Sequence, residues 1–166
     1  YDRDLNRSWY CVEDTSSIVL SDGSTGRSYK NMNNTALGDW LKAGTPNSKV
    51  VSISGKDRAA VFLGGKNPDM VIWNDLMGGY TTSTYYTETL PLWVKEEITK
   101  KNIPAYRDSI WNRILPESVY NENTRDDNTY GEADWTMENG YSPTFPIKFD
   151  GMELSEFLRV FYALPY

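Results

Sequence analysis

The stretch Lys49-Val50-Val51-Ser52-Ile53-Ser54-Gly55-Lys56-Asp57-Arg58-Ala59-Ala60-Val61-Phe62-Leu63-Gly64-Gly65 decides the fold class. Its opening run is rich in β-branched side chains, which are stiff at χ1 and pack well on a pleated surface. Lys49 to Ser54 therefore reads as a buried strand. Gly55 to Arg58 follows as a loop. Ala59 to Leu63 reads as a short helix that Gly64-Gly65 ends and Asp57 caps. Just upstream, Leu37, Trp40 and Leu41 fall on one face of a second helix. Thr35 is its N-cap and Gly44 its stop, and Pro46-Asn47-Ser48 connects it to the strand. Helix, strand, loop and helix make one α/β layer unit.

Outward from this unit, the pattern stays mixed. Ile18-Val19-Leu20 is a short strand candidate, closed by the turn-forming Ser21-Asp22-Gly23-Ser24-Thr25-Gly26. Met70 to Asn74 and the Thr- and Tyr-rich Tyr80 to Tyr86 read as a hairpin turning at Leu76 to Gly79. Thr89 opens a helix with Pro91 in its first turn. Leu90, Val94 and Ile98 form its apolar stripe, and Lys100 and Lys101 sit at the negative end of its dipole. Ser109 to Leu115 reads as a strand stopped by Pro116, and 117–143 as polar loop. Pro146 to Phe149 is a short strand, and Leu154, Phe157, Leu158 and Phe161 share one face of a last helix. The class is α/β, or mixed α+β if the chain stands alone, with a small parallel portion and an antiparallel hairpin region.

Composition narrows the chemistry. The 166 residues amount to one domain. No apolar run approaches the ~18 residues that a membrane span needs. There is no histidine and one cysteine, Cys11. A Ser-His-Asp or Cys-His device, a Cys/His zinc site and an intrachain disulfide are all excluded within this chain. A net charge of -6 speaks against a nucleic-acid partner. The 12 Tyr and 6 Trp read mainly as partly buried packing, with a carbohydrate-stacking module as the alternative. Tyr1 begins no recognisable targeting signal, and the apolar Phe161 to Tyr166 suggests a chain cut from something longer.

Lys56-Asp57-Arg58 carries the strongest chemical signal. It lies just past the best strand, where open α/β sheets bind ligands. Two cations two residues apart can aim at one anion, and the amides opening the next helix favour the same charge. As a bare tripeptide it also reads as a solvated charged turn. The acidic run Asp126 to Asp134 resembles half of a calcium loop. It has Tyr130 and Met137 where oxygen ligands are needed, so it reads as solvated loop. Asn6-Arg7-Ser8 and Asn33-Asn34-Thr35 match the glycosylation sequon, which matters only in a eukaryotic secretory context. Gly64-Gly65-Lys66 lacks P-loop spacing. Cys11 reads as a small buried hydrophobe.

The stretch from Ser48 to Val61, followed by Leu63-Gly64-Gly65, resembles bacterial alkaline phosphatases with a threonine nucleophile. These belong to the type I phosphodiesterase/nucleotide pyrophosphatase group of the alkaline phosphatase superfamily. The similarity continues in order through Tyr1-Asp2-Arg3, Tyr10-Cys11-Val12-Glu13-Asp14 and Asn34 to Leu41. It runs on through Trp73-Asn74-Asp75, Thr82 to Tyr86 and Leu90 to Val94, then more loosely through Trp111, Leu115-Pro116 and Phe145-Pro146.

The resemblance implies a two-zinc phosphate-monoester hydrolase, exported to the periplasm or secreted. It assigns Lys56 and Arg58 to the non-transferred phosphate oxygens, a mark of the monoesterase branch. It also implies that the threonine and the zinc ligands lie outside this stretch, and Lys66 stands where relatives often carry histidine. The expectation is thus an internal fragment, silent by itself and binding no metal. Residues 34–66 would be its substrate-clamp unit, and 67–166 a hairpin and insert region of one domain. Isolated, it would expose apolar surface and could self-associate. A degenerate paralogue without activity is the remaining alternative.

Overall fold

The computed structural model describes residues 1–4, 6–75, 79–101, 103–127, 144–149, 153 and 157. Strand β1 (Glu13–Ile18) pairs antiparallel with β2 (Thr25–Arg27) across a turn where Gly23 takes a positive φ. Helix α1 (Leu37–Gly44) leads to β3 (Val51–Ser54), helix α2 (Asp57–Gly64) and β4 (Met70–Asn74). Strands β3 and β4 run parallel, with Val51 opposite Met70 and Ser54 opposite Trp73. Parallel neighbours need a crossover, and α2 supplies it. Strand β5 (Tyr80–Thr81) returns antiparallel to β4, giving the order β3-β4-β5. Helix α3 (Leu92–Lys101) completes the first of two compact units, residues 1–101 and 102–166.

The core of the first unit forms where α2 lies on this sheet. Val12, Val19, Ala60, Val61, Val71 and Trp73 are buried together, and Tyr10, Tyr29 and Tyr86 pack against them. The Ser52 hydroxyl donates to the Ala60 carbonyl at 2.7 Å, tying β3 to α2. Helix α1 crosses α2 at Gly38, where an added Cβ would stand 2.2 Å from the Gly64 carbonyl oxygen. Asp39 then fastens α1 to the turn after α2. Its Oδ1 accepts the Lys66 and Asn67 amides at 2.8 and 3.2 Å, and its Oδ2 the Ala36 amide at 2.9 Å. Gly65 holds that turn with φ of 81°. In β1, burial works against the Asp14 charge. Hydrogen bonds from Ser16 and Lys30 outweigh it and hold the carboxyl well below the usual carboxylate range.

Several sequence expectations change. The strand begins at Val51 and is not buried throughout: Val51 and Ile53 are 50% and 53% exposed. Strand β3 is an edge strand, and among the described residues only its Ser52 face is covered. The Leu37, Trp40 and Leu41 face of α1 points outward, because the close approach at Gly38 turns the opposite side toward α2. The N-cap of α1 is Ala36; the Thr35 hydroxyl instead accepts the Trp40 indole N–H at 2.8 Å. Asp57 is the first residue of α2, not its cap, since its carboxylate is drawn to a cation elsewhere. Cys11 is exposed, lying in the turn that precedes β1.

The return strand of the hairpin stops early. After Thr81 the chain leaves β4, and the Thr82 hydroxyl takes over by donating to the Val71 carbonyl at 2.6 Å. Residues 82–84 pair instead with 18–20, through Leu20 N–H to Thr82 O and Thr84 N–H to Ile18 O. Helix α3 starts at Leu92, so Thr89 does not open it and Leu90 and Pro91 precede it; on the helix Val94 is buried and Ile98 half-buried.

In the second unit, β6 (Ile110–Trp111) pairs antiparallel with β7 (Ile147–Lys148). The region expected to be loop contains helix α4 (Glu117–Asn123), opened by Pro116, which is pre-set for a helix start. Arg113 pairs with Asp127 at 2.8 Å, and Phe149 and Phe157 meet edge to face. The calcium-loop-like run from Asn128 onward, and Leu154, Leu158 and Phe161, lie outside the described residues; Phe157 is buried.

Candidate functional site

A cleft of about 250 Å³ opens at the carboxyl ends of β3 and β4. Gly55, Lys56 and the first two residues of α2, Asp57 and Arg58, form one wall. Asn74 and Asp75 come from the end of β4, and Tyr10 and Arg27 from the amino-terminal segment. The position follows from topology: parallel strands end together, and the loops after them leave a crevice. Sequence reasoning placed Lys56 and Arg58 in a loop after the strand, and both line the cleft with exposed side chains.

The charges in the cleft are not equivalent. Arg27 Nε donates to Asp57 Oδ2 at 2.6 Å, so that pair is neutralised. The Tyr10 hydroxyl donates to Asp57 Oδ1 at 2.6 Å and accepts from Arg58 Nη1 at 3.2 Å. Burial, with the Asp57 carboxylate, pushes the Tyr10 pKa up against the pull of Arg58, so the hydroxyl keeps its proton. The same tyrosine pushes the Arg58 pKa up further. The other carboxylates of the cleft are also engaged. Asp22 accepts the Ser24 amide at 2.9 Å, and Asp75 the Gly79 amide at 2.7 Å.

The Lys56 ammonium makes no hydrogen bond or ion pair among the described residues, while its amide donates to Ser54 Oγ. The cleft therefore carries two cations whose charge is uncommitted, Lys56 and Arg58, at the start of α2. That arrangement suits an anion with several oxygens: a point charge on one arm and a planar fork on the other. The helix amides contribute less than expected, because Asp57 Oδ1 already takes the Arg58 N–H at 2.7 Å.

The chain has no histidine, and no group of three or more Cys, Asp or Glu side chains among the described residues could hold an ion. Among the described residues the exposed tryptophans, Trp9, Trp40 and Trp93, stand on three separate segments, and the Arg7 guanidinium lies over the Trp9 ring at 3.6 Å.

No family model matches the chain. Individual proteins do. Alkaline phosphatase PafA of Elizabethkingia meningoseptica is 37% identical over 152 residues, 88% of this chain and 27% of that protein. Alkaline phosphatase PhoV of Synechococcus elongatus is 35% identical over 153 residues, 90% of this chain and 27% of that protein. The crystal structure of wild-type PafA superposes with a TM-score of 0.71 at 34% identity, covering 96% of this chain and 30% of that one. The chain belongs to the alkaline phosphatase superfamily. A calcium-transporting ATPase of Myroides odoratus is also similar, 36% identical over 82% of this chain and 25% of its own length.

The chain thus spans between a quarter and a third of the length of PafA and PhoV. Their similarity favours the phosphatase reading over a carbohydrate-binding module. It also places the α/β elements above within an alkaline-phosphatase fold. Sequence reasoning missed Tyr10 and Arg27 as parts of the cleft. They stand 47 and 30 residues from Asp57, and no local pattern announces pairing over such distances.

Proposed function

We propose that this chain is the phosphate-clamp segment of a longer phosphate-monoester hydrolase. Lys56 and Arg58 bind the non-bridging oxygens of the phosphoryl group and stabilise the charge on them during transfer. The carrying observation is the pair of uncommitted cations at the carboxyl ends of parallel β3 and β4, in a chain 37% identical to an alkaline phosphatase. A solved PafA variant, 32% identical to this chain, has a threonine, an asparagine, a lysine and an arginine replaced. Its lysine and arginine stand two positions apart, the spacing of Lys56 and Arg58. Its threonine and asparagine stand more than sixty positions before the lysine, further than Tyr1 lies from Lys56. In this reading the nucleophile and the zinc ions are contributed from outside the chain, and the longer protein is periplasmic or secreted.

The test is hydrolysis of p-nitrophenyl phosphate by the longer protein and by the 166 residues alone. Turnover is expected from the first and none from the second. Turnover by the 166 residues would overturn the segment reading, and an inert longer protein would favour a degenerate paralogue.

The open face of the first unit carries a second expectation. Val51 and Ile53 on the edge strand β3, with Leu37 and Trp40 on α1, expose apolar surface that soluble monomers rarely leave open. In the longer protein the remaining chain covers this face. Alone, the 166 residues are expected to elute as a dimer or larger species, and Ile53→Lys to shift them toward monomer. Elution of the unaltered chain as a monomer would count against that coverage.

A further inference from the structure

We infer that Tyr10 and Arg27 are positioning residues that hold Arg58 in place while leaving its charge free for phosphate. This rests on the clamp reading of Lys56 and Arg58. The four side chains form a linked chain: Arg27 to Asp57, Asp57 to Tyr10, Tyr10 to Arg58. Its polarity has one solution. An ionised Asp57 can only accept, and Arg58 can only donate, so the single Tyr10 proton goes to Asp57 and a lone pair faces Arg58.

The arrangement solves two problems for an exposed arginine. A free guanidinium on a flexible stem loses rotamer freedom when it is ordered, and the Tyr10 contact orders it before an anion arrives. The second problem is the neighbour. Asp57 adjoins Arg58 in sequence, and an unpaired carboxylate there would compete with phosphate for the cation. Arg27 removes that competitor: Nε occupies Oδ2, and the guanidinium lies 5.1 Å from the Tyr10 ring centroid. Arg58 is left with a neutral partner, a hydroxyl that orients without neutralising. Tyr10 packs against the buried core cluster, which gives its hydroxyl a firm mount. Lys56 has no such support.

The experiment uses the longer phosphatase and inorganic phosphate as a competitive inhibitor. Tyr10→Phe keeps the ring and removes the hydroxyl. It is expected to raise the inhibition constant for phosphate about tenfold, the scale of one hydrogen bond to a charged group. In an Arg58→Ala background the same change should have no further effect, whereas in a Lys56→Ala background the full tenfold should persist. Additive loss with Arg58→Ala, or no change in the single variant, would overturn the inference. Arg27→Ala tests the second arm. It should weaken phosphate by freeing Asp57, and adding Asp57→Asn should restore most of the loss; absence of rescue contradicts it. Arg58→Ala that leaves phosphate inhibition untouched sinks the clamp reading itself, whatever Tyr10 does.

Discussion

In the longer phosphatase, Lys56→Ala and Arg58→Ala are each expected to lower kcat/KM for a phosphate monoester by about 10²–10³, the scale of one lost charge-stabilising donor. Both side chains are exposed at the start of α2, and every carboxylate of their cleft has another partner. Their charge is therefore available to a substrate and not spent within the fold. The loss should be larger for a monoester than for a diester, because a monoester carries more charge on its non-bridging oxygens. Steady-state rates on a matched monoester and diester check this. Equal rates for variant and parent protein would remove the assigned roles, and equal losses on both substrates would remove the explanation by charge. Arg58→Lys should recover only part of the rate, since an ammonium cannot grip two oxygens in one plane.

Gly38→Ala is expected to destabilise the first unit by about 3 kcal/mol, at the upper end of overpacking costs. The added methyl would meet the Gly64 carbonyl oxygen at 2.2 Å and Val50 Cγ1 at 2.8 Å. The nearest neighbour is backbone, which cannot rotate away as a side-chain tip can. Helix α1 must lift from α2, and the Asp39 contacts to Lys66 and Asn67 loosen with it. A unit of this size should lose roughly 10–20 °C in Tm. Gly44→Ala in the same helix is the control. Nothing lies within 4 Å of its added Cβ, so it should be neutral or slightly stabilising. Thermal unfolding of the two variants side by side decides the matter. Equal Tm values would mean that the helix crossing is not close-packed.

Much of the first unit was legible in the sequence because its signals are local. The β-branched run 49–54, the glycines after Leu63 and the apolar spacing on α3 each specify an element within one window. The motif Lys56-Asp57-Arg58 was legible for the same reason, as two like charges beside a predicted strand end. The error at β3 has a different cause. Burial of Val51 and Ile53 was inferred from apolar character alone. Apolar character states what a side chain prefers, whereas burial depends on whether another layer is present. Helix α4 escaped notice because it is short, mostly polar and buries none of its residues, so no apolar stripe announces it.

By itself, then, the sequence determined the α/β class, the absence of a histidine-based site in this chain, and the motif that carries Lys56 and Arg58. Local composition and chain connectivity suffice for each of these. Only the tertiary structure decided which cation in the cleft is already spent. Arg27, Lys56 and Arg58 look alike in sequence, yet Arg27 is closed by Asp57 at 2.6 Å, Arg58 is held by a neutral hydroxyl, and the Lys56 ammonium is without a partner among the described residues. The physical reason is distance. Whether a charge is free depends on its nearest counter-charge in space, and the group that holds Arg58, Tyr10, enters the site from 48 residues away.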